Sequence, residues 1–234
     1  MLNSIVTRQK MLSPLSETEK TIIRSATRLF LQNGFSKTTL KMIADDTGIR
    51  QGTLCYHFHT KEDMLYLLIQ ELMDFHGDMV EQAEKETGDL LFSYAAEVTA
   101  QLVLCEVDER AYDLYYSAYS HPGTLALIKD WSAGKNYQIF KDRLPDWTEA
   151  DFARVEHVAS AIEFAAFTAP CDRYFTIKDK ARLVLDSLLK LYEVEKEERV
   201  ALVERILAVD FLAVGKEMFE KFVRKLDNTI EDAV

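Results

Sequence analysis

Between residues 39 and 61 the sequence gathers side chains suited to reading a nucleic acid. Arg50, Gln51, Thr53, Tyr56 and His57 fall within eight consecutive residues. An arginine can fork onto guanine and a glutamine onto adenine, while threonine and tyrosine hydroxyls suit phosphate oxygens or the thymine edge. Gly52 lets a helix start approach a phosphate backbone closely, and the helix N-terminus itself favours phosphate. Such residues recognise DNA only when a short, exposed helix presents them together.

The flanking pattern predicts that helix. Ser16-Glu17-Thr18-Glu19 reads as a capping box, and Ile22, Ile23, Ala26, Leu29 and Phe30 follow helical spacing up to a left-handed stop at Asn33-Gly34. A second helix is expected over 39–46, with Leu40, Ile43 and Ala44 turned inward. Thr47-Gly48-Ile49 makes a tight turn before a third helix over 50–57. Thr60-Lys61-Glu62-Asp63 then caps a long fourth helix with Met64, Leu65, Leu68, Leu72 and Phe75 at helical spacing. Two short helices joined by a glycine turn form a helix-turn-helix, in which the first braces the second for the major groove. Ala44 suits the close crossing, and Ile49 and Leu54 anchor the second helix. Arg50, Gln51, Thr53, Tyr56 and His57 are then left to face outward.

These residues resemble the TetR family of bacterial transcriptional regulators over about 15–68. The resemblance rests on Gly34-Phe35, Thr38-Thr39, Ile43-Ala44, Gly48-Ile49, Gly52-Thr53-Leu54, Tyr56-His57-Phe58 and Lys61-Glu62. It implies an all-α protein in three parts: a flexible arm (1–14), a helix-turn-helix DNA-binding domain (15–62), and a helical domain for effector binding and dimerisation (63–234). By the same resemblance, Thr39 and Lys41 touch the DNA backbone or nearby base edges. Thr53, Tyr56 and His57 occupy contact positions of the recognition helix, and Lys61 a phosphate contact. The implied function is a ligand-responsive repressor that binds a palindromic double-stranded operator as a homodimer. Two departures stand out. Arg50 replaces a small capping residue, which weakens the cap but adds a base-reading group. Cys55 replaces a phosphate-binding tyrosine, a loss that Tyr56 could partly make good.

Charge agrees with this division. The 234 residues carry 28 Lys+Arg and 39 Asp+Glu, a net charge of -11. Residues 1–60 hold eight basic and four acidic side chains, a net of +4, so the remainder is strongly acidic. Lys20, Arg24 and Arg28 recur on the first helix, as a solvated face or as phosphate contacts. No run approaches the ~18 uncharged apolar residues of a membrane span. Cys55, Cys105 and Cys171 are odd in number and far apart, which suits a reducing cytoplasm and neither a disulfide framework nor a metal site. Cys55 reads as a bystander rather than a redox sensor. His76, His121 and His157 share no metal-ligand spacing. No phosphate-cradling loop, HExxH or nucleophile elbow occurs, so neither cofactor nor enzymatic activity is expected.

With prolines only at 14, 122, 145 and 170, long helices are expected throughout. The aromatic-rich segments 90–104, 111–120, 125–143 and 152–167 suggest a pocket for a small, largely apolar or aromatic effector. Tyr94, Tyr112, Tyr116, Trp131 and Phe164 are its expected lining. Glu163 either pairs at an interface or helix edge, the favoured reading, or faces a ligand. The segment from Ile177 to Leu191 and the stripe Val200, Val203, Leu207, Phe211, Val214, Met218, Phe222 and Leu226 are expected to build the dimer, with Gly215 as the place where the stripe could break. Two rival readings are a helical enzyme or carrier with a relic helix-turn-helix, which a specific operator would dismiss, and a regulator driven by a protein partner, which a void-free core would favour.

Overall fold

One helix organises the larger part of the chain. A computed structural model describes residues 15–231, with side chains through Leu226, so the expected arm at 1–14 lies outside the described residues. Among these residues the chain forms helices and turns, with no strand. The amino-terminal part comprises α1 (Glu17–Asn33), α2 (Leu40–Thr47) and α3 (Gln51–His57). The body follows as α4 (Lys61–Thr87), α5 (Leu90–Val107), α6 (Glu109–Ser120), α7 (Pro122–Phe140), α8 (Glu149–Thr168), α9 (Ile177–Leu191), α10 (Lys196–Leu207) and α11 (Phe211–Glu231).

Local sequence accounts for the boundaries. Ser16 and Thr60 cap α1 and α4 through reciprocal capping boxes with Glu19 and Asp63. Thr39 caps α2 by accepting from the Met42 N–H, and Gly48 ends it in the left-handed region with φ +68°. Pro122 starts α7 at a position where its missing N–H costs nothing. Gly34 departs from the expected left-handed stop. Its φ of +91° is paired with ψ 147°, an extended conformation open to glycine.

In the body, α5 packs against α4 and against every helix from α6 to α11. Its mean hydropathy of 1.4 would suit a membrane span by composition, which the sequence reading did not anticipate, but most of it is buried inside the protein. The amino-terminal part joins this body through α1, which packs on α2, α4 and α6, while α3 rests on α2. Apolar anchors Ile22, Ile43 and Leu54 are each fully buried.

The last helix differs from expectation. Phe211, Met218, Phe219, Phe222 and Leu226 are buried, and α11 lies along α5. Part of the stripe is thus covered within the subunit, while Val200 and Val214 stay exposed. It is also interrupted at 208–210, between α10 and α11, and continues unbroken through Gly215. Gly215 serves close approach: a Cβ there would lie 3.1 Å from the Ala100 carbonyl oxygen and 3.7 Å from Leu104 Cβ. Gly215→Val should therefore push α11 off α5 and cost about 1–3 kcal/mol, typical of overpacking. Urea denaturation followed by circular dichroism measures it, and unchanged stability would contradict this packing.

Candidate nucleic-acid interface

The short α3 has one buried face and one exposed face. Leu54 is fully buried and Ile49 packs half-buried against the core, which fixes the helix on α2. Arg50, Gln51, Gly52, Thr53 and Tyr56 are exposed on its other side, Tyr56 at 77%. Arg50 stands at the N-cap of α3 without a side-chain cap hydrogen bond, and its carbonyl accepts from the Thr53 and Leu54 N–H groups at 2.9 and 3.0 Å. Lys41 is exposed on α2, and Thr39 is exposed beside its start.

Other sequence-selected residues are held within the protein. His57 is half-buried with Nδ1 3.3 Å from Glu19 Oε1, which ties the end of α3 to the start of α1. Lys61 Nζ donates to the Phe35 carbonyl at 2.8 Å and the Thr38 carbonyl at 3.2 Å, and lies 4.2 Å from the centre of the Phe35 ring. Its ammonium braces the loop before α2. Of the basic residues on α1, Lys20 pairs with Glu17 and Arg28 with Asp46. The hydrogen bond from Arg28, then that from Ser25, hold the Asp46 carboxyl below its usual range. Cys55 is half-buried against the core.

A junction missed in the sequence couples this part to the body. Asp113 on α6 accepts from the Ser36 N–H at 3.1 Å, and a Cβ on Gly34 would lie 3.2 Å from its Oδ2. The Phe35 ring packs edge-on against His121, and His121 Nε2 lies 3.5 Å from Glu62. Isolated Asp and His residues carry no periodic signal, and only the tertiary contact reveals them.

The expected effector residues fall into two groups. Tyr112 stacks on Tyr116, Tyr116 packs on Phe164, and Tyr119 lies parallel to Phe164 at 6.1 Å. Trp131 lies apart, against Gly77 of α4 and 4.9 Å from Lys135 Nζ. Tyr94 is fully buried, edge-on to Phe140 and Tyr192. Glu163 is half-buried and accepts from the Tyr119 hydroxyl at 2.7 Å, so its carboxyl is held inside the subunit rather than at an outer edge. Two grooves open elsewhere. One, of about 470 Å³, is lined by Thr99, Val103, Val107, Ile177, Leu207 and Leu212. The other, of about 430 Å³, lies between α9 and α10 beside Leu183 and Val200.

Residues 22–66 match the family described as bacterial regulatory proteins, tetR family. The transcriptional regulator TtgR of Pseudomonas putida is 33% identical over 70 residues, which are 30% of this chain and 33% of TtgR. The transcriptional repressor KstR2 of Mycolicibacterium smegmatis is 31% identical over 83 residues, 32% of this chain and 40% of KstR2. The chain thus spans about a third to two fifths of these relatives. Among solved structures, RolR in complex with resorcinol aligns with a TM-score of 0.61 and 15% identity, over 79% of this chain and 92% of RolR. FadR of Thermus thermophilus in complex with lauroyl-CoA aligns with a TM-score of 0.54 and 18% identity, over 76% and 96%. The family match therefore lies at the amino-terminal end, while likeness of fold covers about four fifths of the chain.

The uncapped start of α3 can be tested without DNA. Arg50→Ser supplies an N-cap acceptor and should stabilise the protein by about 0.5–1 kcal/mol. Thermal and urea denaturation read the change, and a loss of stability would show that Arg50 makes a contact outweighing the cap.

Proposed function

From an amino-terminal domain that belongs to the tetR family of bacterial regulatory proteins, we propose that this protein is a ligand-responsive transcriptional regulator. It acts as a cytoplasmic repressor on double-stranded operator DNA. The observation that carries this reading is the exposed row Arg50, Gln51, Thr53 and Tyr56 on a helix whose opposite face is locked by Leu54. Arg50 and Gln51 read base edges, while Thr39, Lys41, Thr53 and Tyr56 fix register on the phosphates and thymines. Gly52 admits the backbone closely, and His57 supports the end of the reading helix. Lys61 reaches a phosphate on exchanging the Phe35 and Thr38 carbonyls for it.

A homodimer places two copies of α3 in successive major grooves, about 34–36 Å apart, of a palindromic operator. Its interface is proposed on the outer face of α8. Arg154, Val158, Ala161 and Ala165 recur there at helical spacing and are all exposed, Val158 at 51%. The exposed Leu183 on α9 extends the apolar surface. Two proteins of this fold were solved with small organic molecules bound, which supports an effector site among the middle helices. A largely apolar or aromatic effector there favours a dimer whose reading helices are wrongly spaced. It works only by binding that state more tightly than the DNA-bound one.

Selection from random duplex DNA should enrich a palindrome, and Arg50→Ala should relax one or two of its positions. Failure to enrich any sequence would overturn the DNA-binding reading and favour a helical enzyme or carrier. Light scattering should give a dimer for the intact protein and a monomer for Val158→Glu. A Val158→Glu variant that stays dimeric would move the interface off α8.

A further inference from the structure

In the middle of the body the carboxyls of Glu97, Glu156 and Glu163 all feel one ammonium, that of Lys135. Glu97 on α5 takes it. Lys135 Nζ donates to Glu97 Oε2 at 2.5 Å, Gln101 donates to Oε1 at 3.1 Å, and His76 Nδ1 lies 3.3 Å away. Burial alone would raise this carboxyl, but Lys135 and His76 overcome it and hold Glu97 down at about 2.

The two α8 carboxyls are left with neutral donors. Glu156, 2% exposed, accepts from Asn136 Nδ2 at 2.7 Å and from the Tyr192 hydroxyl. Glu163, two helical turns on, accepts from the Tyr119 hydroxyl at 2.7 Å. A neutral donor does not cancel charge. Ionising both would set two carboxylates in one interior whose ammonium is already committed. Burial first, then the Glu156 charge, push Glu163 up to about 7, and burial raises Glu156 as well. The ionisable groups around Glu163 are Tyr115 and Tyr119 from α6, Lys135 from α7, Tyr94 and Glu97 from α5, Glu156 on its own helix, and Tyr192 after α9.

This carboxyl also sits in a joint. Helix α6 meets α8 through rings, with Tyr119 parallel to Phe164 and edge-on to Phe167 at 5.3 Å, and Tyr115 against Phe167 at 5.4 Å. The Tyr119–Glu163 hydrogen bond crosses the same contact. Tyr119 is buried and cannot follow a partner outward, whereas Glu163 is half-buried and keeps a route to solvent.

We propose that Glu163 carries a proton while the α6–α8 joint is closed, and that losing it turns the carboxylate to solvent and frees the Tyr119 hydroxyl. A protonated carboxyl still accepts from Tyr119 through Oε2. An ionised one gains hydration and distance from Glu156 by leaving, at the cost of that one bond. The joint is closed on the acid side of neutrality and open on the alkaline side. It works by proton loss alone, whether or not the protein binds DNA or an effector.

The test follows the intact protein by nuclear magnetic resonance, isotopically labelled at glutamate Cδ and tyrosine Cζ, over about pH 5–8.5. One glutamate carboxyl should titrate at about 7, and its signal should vanish in Glu163→Gln. The Tyr119 Cζ signal, identified by its loss in Tyr119→Phe, should move with the same midpoint and stand still in Glu163→Gln. Tyr119→Phe also separates opening from a bond that merely persists. If the carboxylate kept the hydroxyl, losing that donor would raise the Glu163 midpoint. Because only the protonated form keeps it, the midpoint should fall instead, by about 0.5 or more. A spectrum with no glutamate midpoint near neutrality, tyrosine signals that all stand still through that range, or a Glu163 midpoint raised by Tyr119→Phe would each overturn the proposal. The first two outcomes are read on the unaltered protein and decide the matter even if a variant does not fold.

Discussion

Burial of α5 is the constraint on which the body depends. A helix of this hydropathy exposes apolar surface on every side, and each uncovered Å² costs about 25 cal/mol. Covering it takes α4 on one flank, α6 to α10 around it, and α11 laid over the remaining face, so close at Gly215 that an added Cβ would lie 3.1 Å from the Ala100 carbonyl oxygen. Most of the apolar stripe of α11 is consumed in this way. The outer face of α8, with Val158 exposed, is left uncovered.

The same constraint explains the polar centre. Polar groups carried by α5 cannot reach bulk water, so Glu97 and Gln101 are met by Lys135 and His76, and Tyr115 in turn bonds His76 Nε2 at 3.1 Å. A buried charge without such partners would be strongly destabilising. The network pins α4, α5, α6 and α7 in one arrangement. The α8 carboxylates are met by neutral donors instead, Glu156 by Asn136 and Tyr192 and Glu163 by Tyr119.

Helix α6 connects the two ends of the molecule. Its residues Tyr112, Tyr116 and Tyr119 form the aromatic wall beside Glu163, while Asp113 and, just past its end, His121 grip the loop between α1 and α2. It meets that loop through a carboxylate–amide hydrogen bond and a ring contact, both short-ranged and directional. Lys61 holds the same loop from the α4 side. Helix α3, resting on α2, thus follows a loop clamped between two body helices.

Much of the amino-terminal part was legible in order of residues alone. Capping boxes, the Gly48 turn, the inward Ile43, Ala44 and Leu54, and the outward Arg50, Gln51, Thr53 and Tyr56 follow from contacts within a few residues, where helical periodicity and cap chemistry act. The uncapped start at Arg50 was legible for the same reason. The body was legible only as a series of helices. Which face of α11 is covered, whether Glu163 points in or out, and what Lys61 and Asp113 hold are set by partners far away in sequence, Ala100, Tyr119, Phe35 and Ser36. An amphipathic stripe reports that a face must be buried, not what buries it. A carboxylate in an apolar run reports a cost, not the donor that meets it. Local order therefore determined the helix-turn-helix and its orientation, while tertiary packing alone decided the interior chemistry and which helix faces are covered, because both depend on which distant groups the burial of α5 brings together.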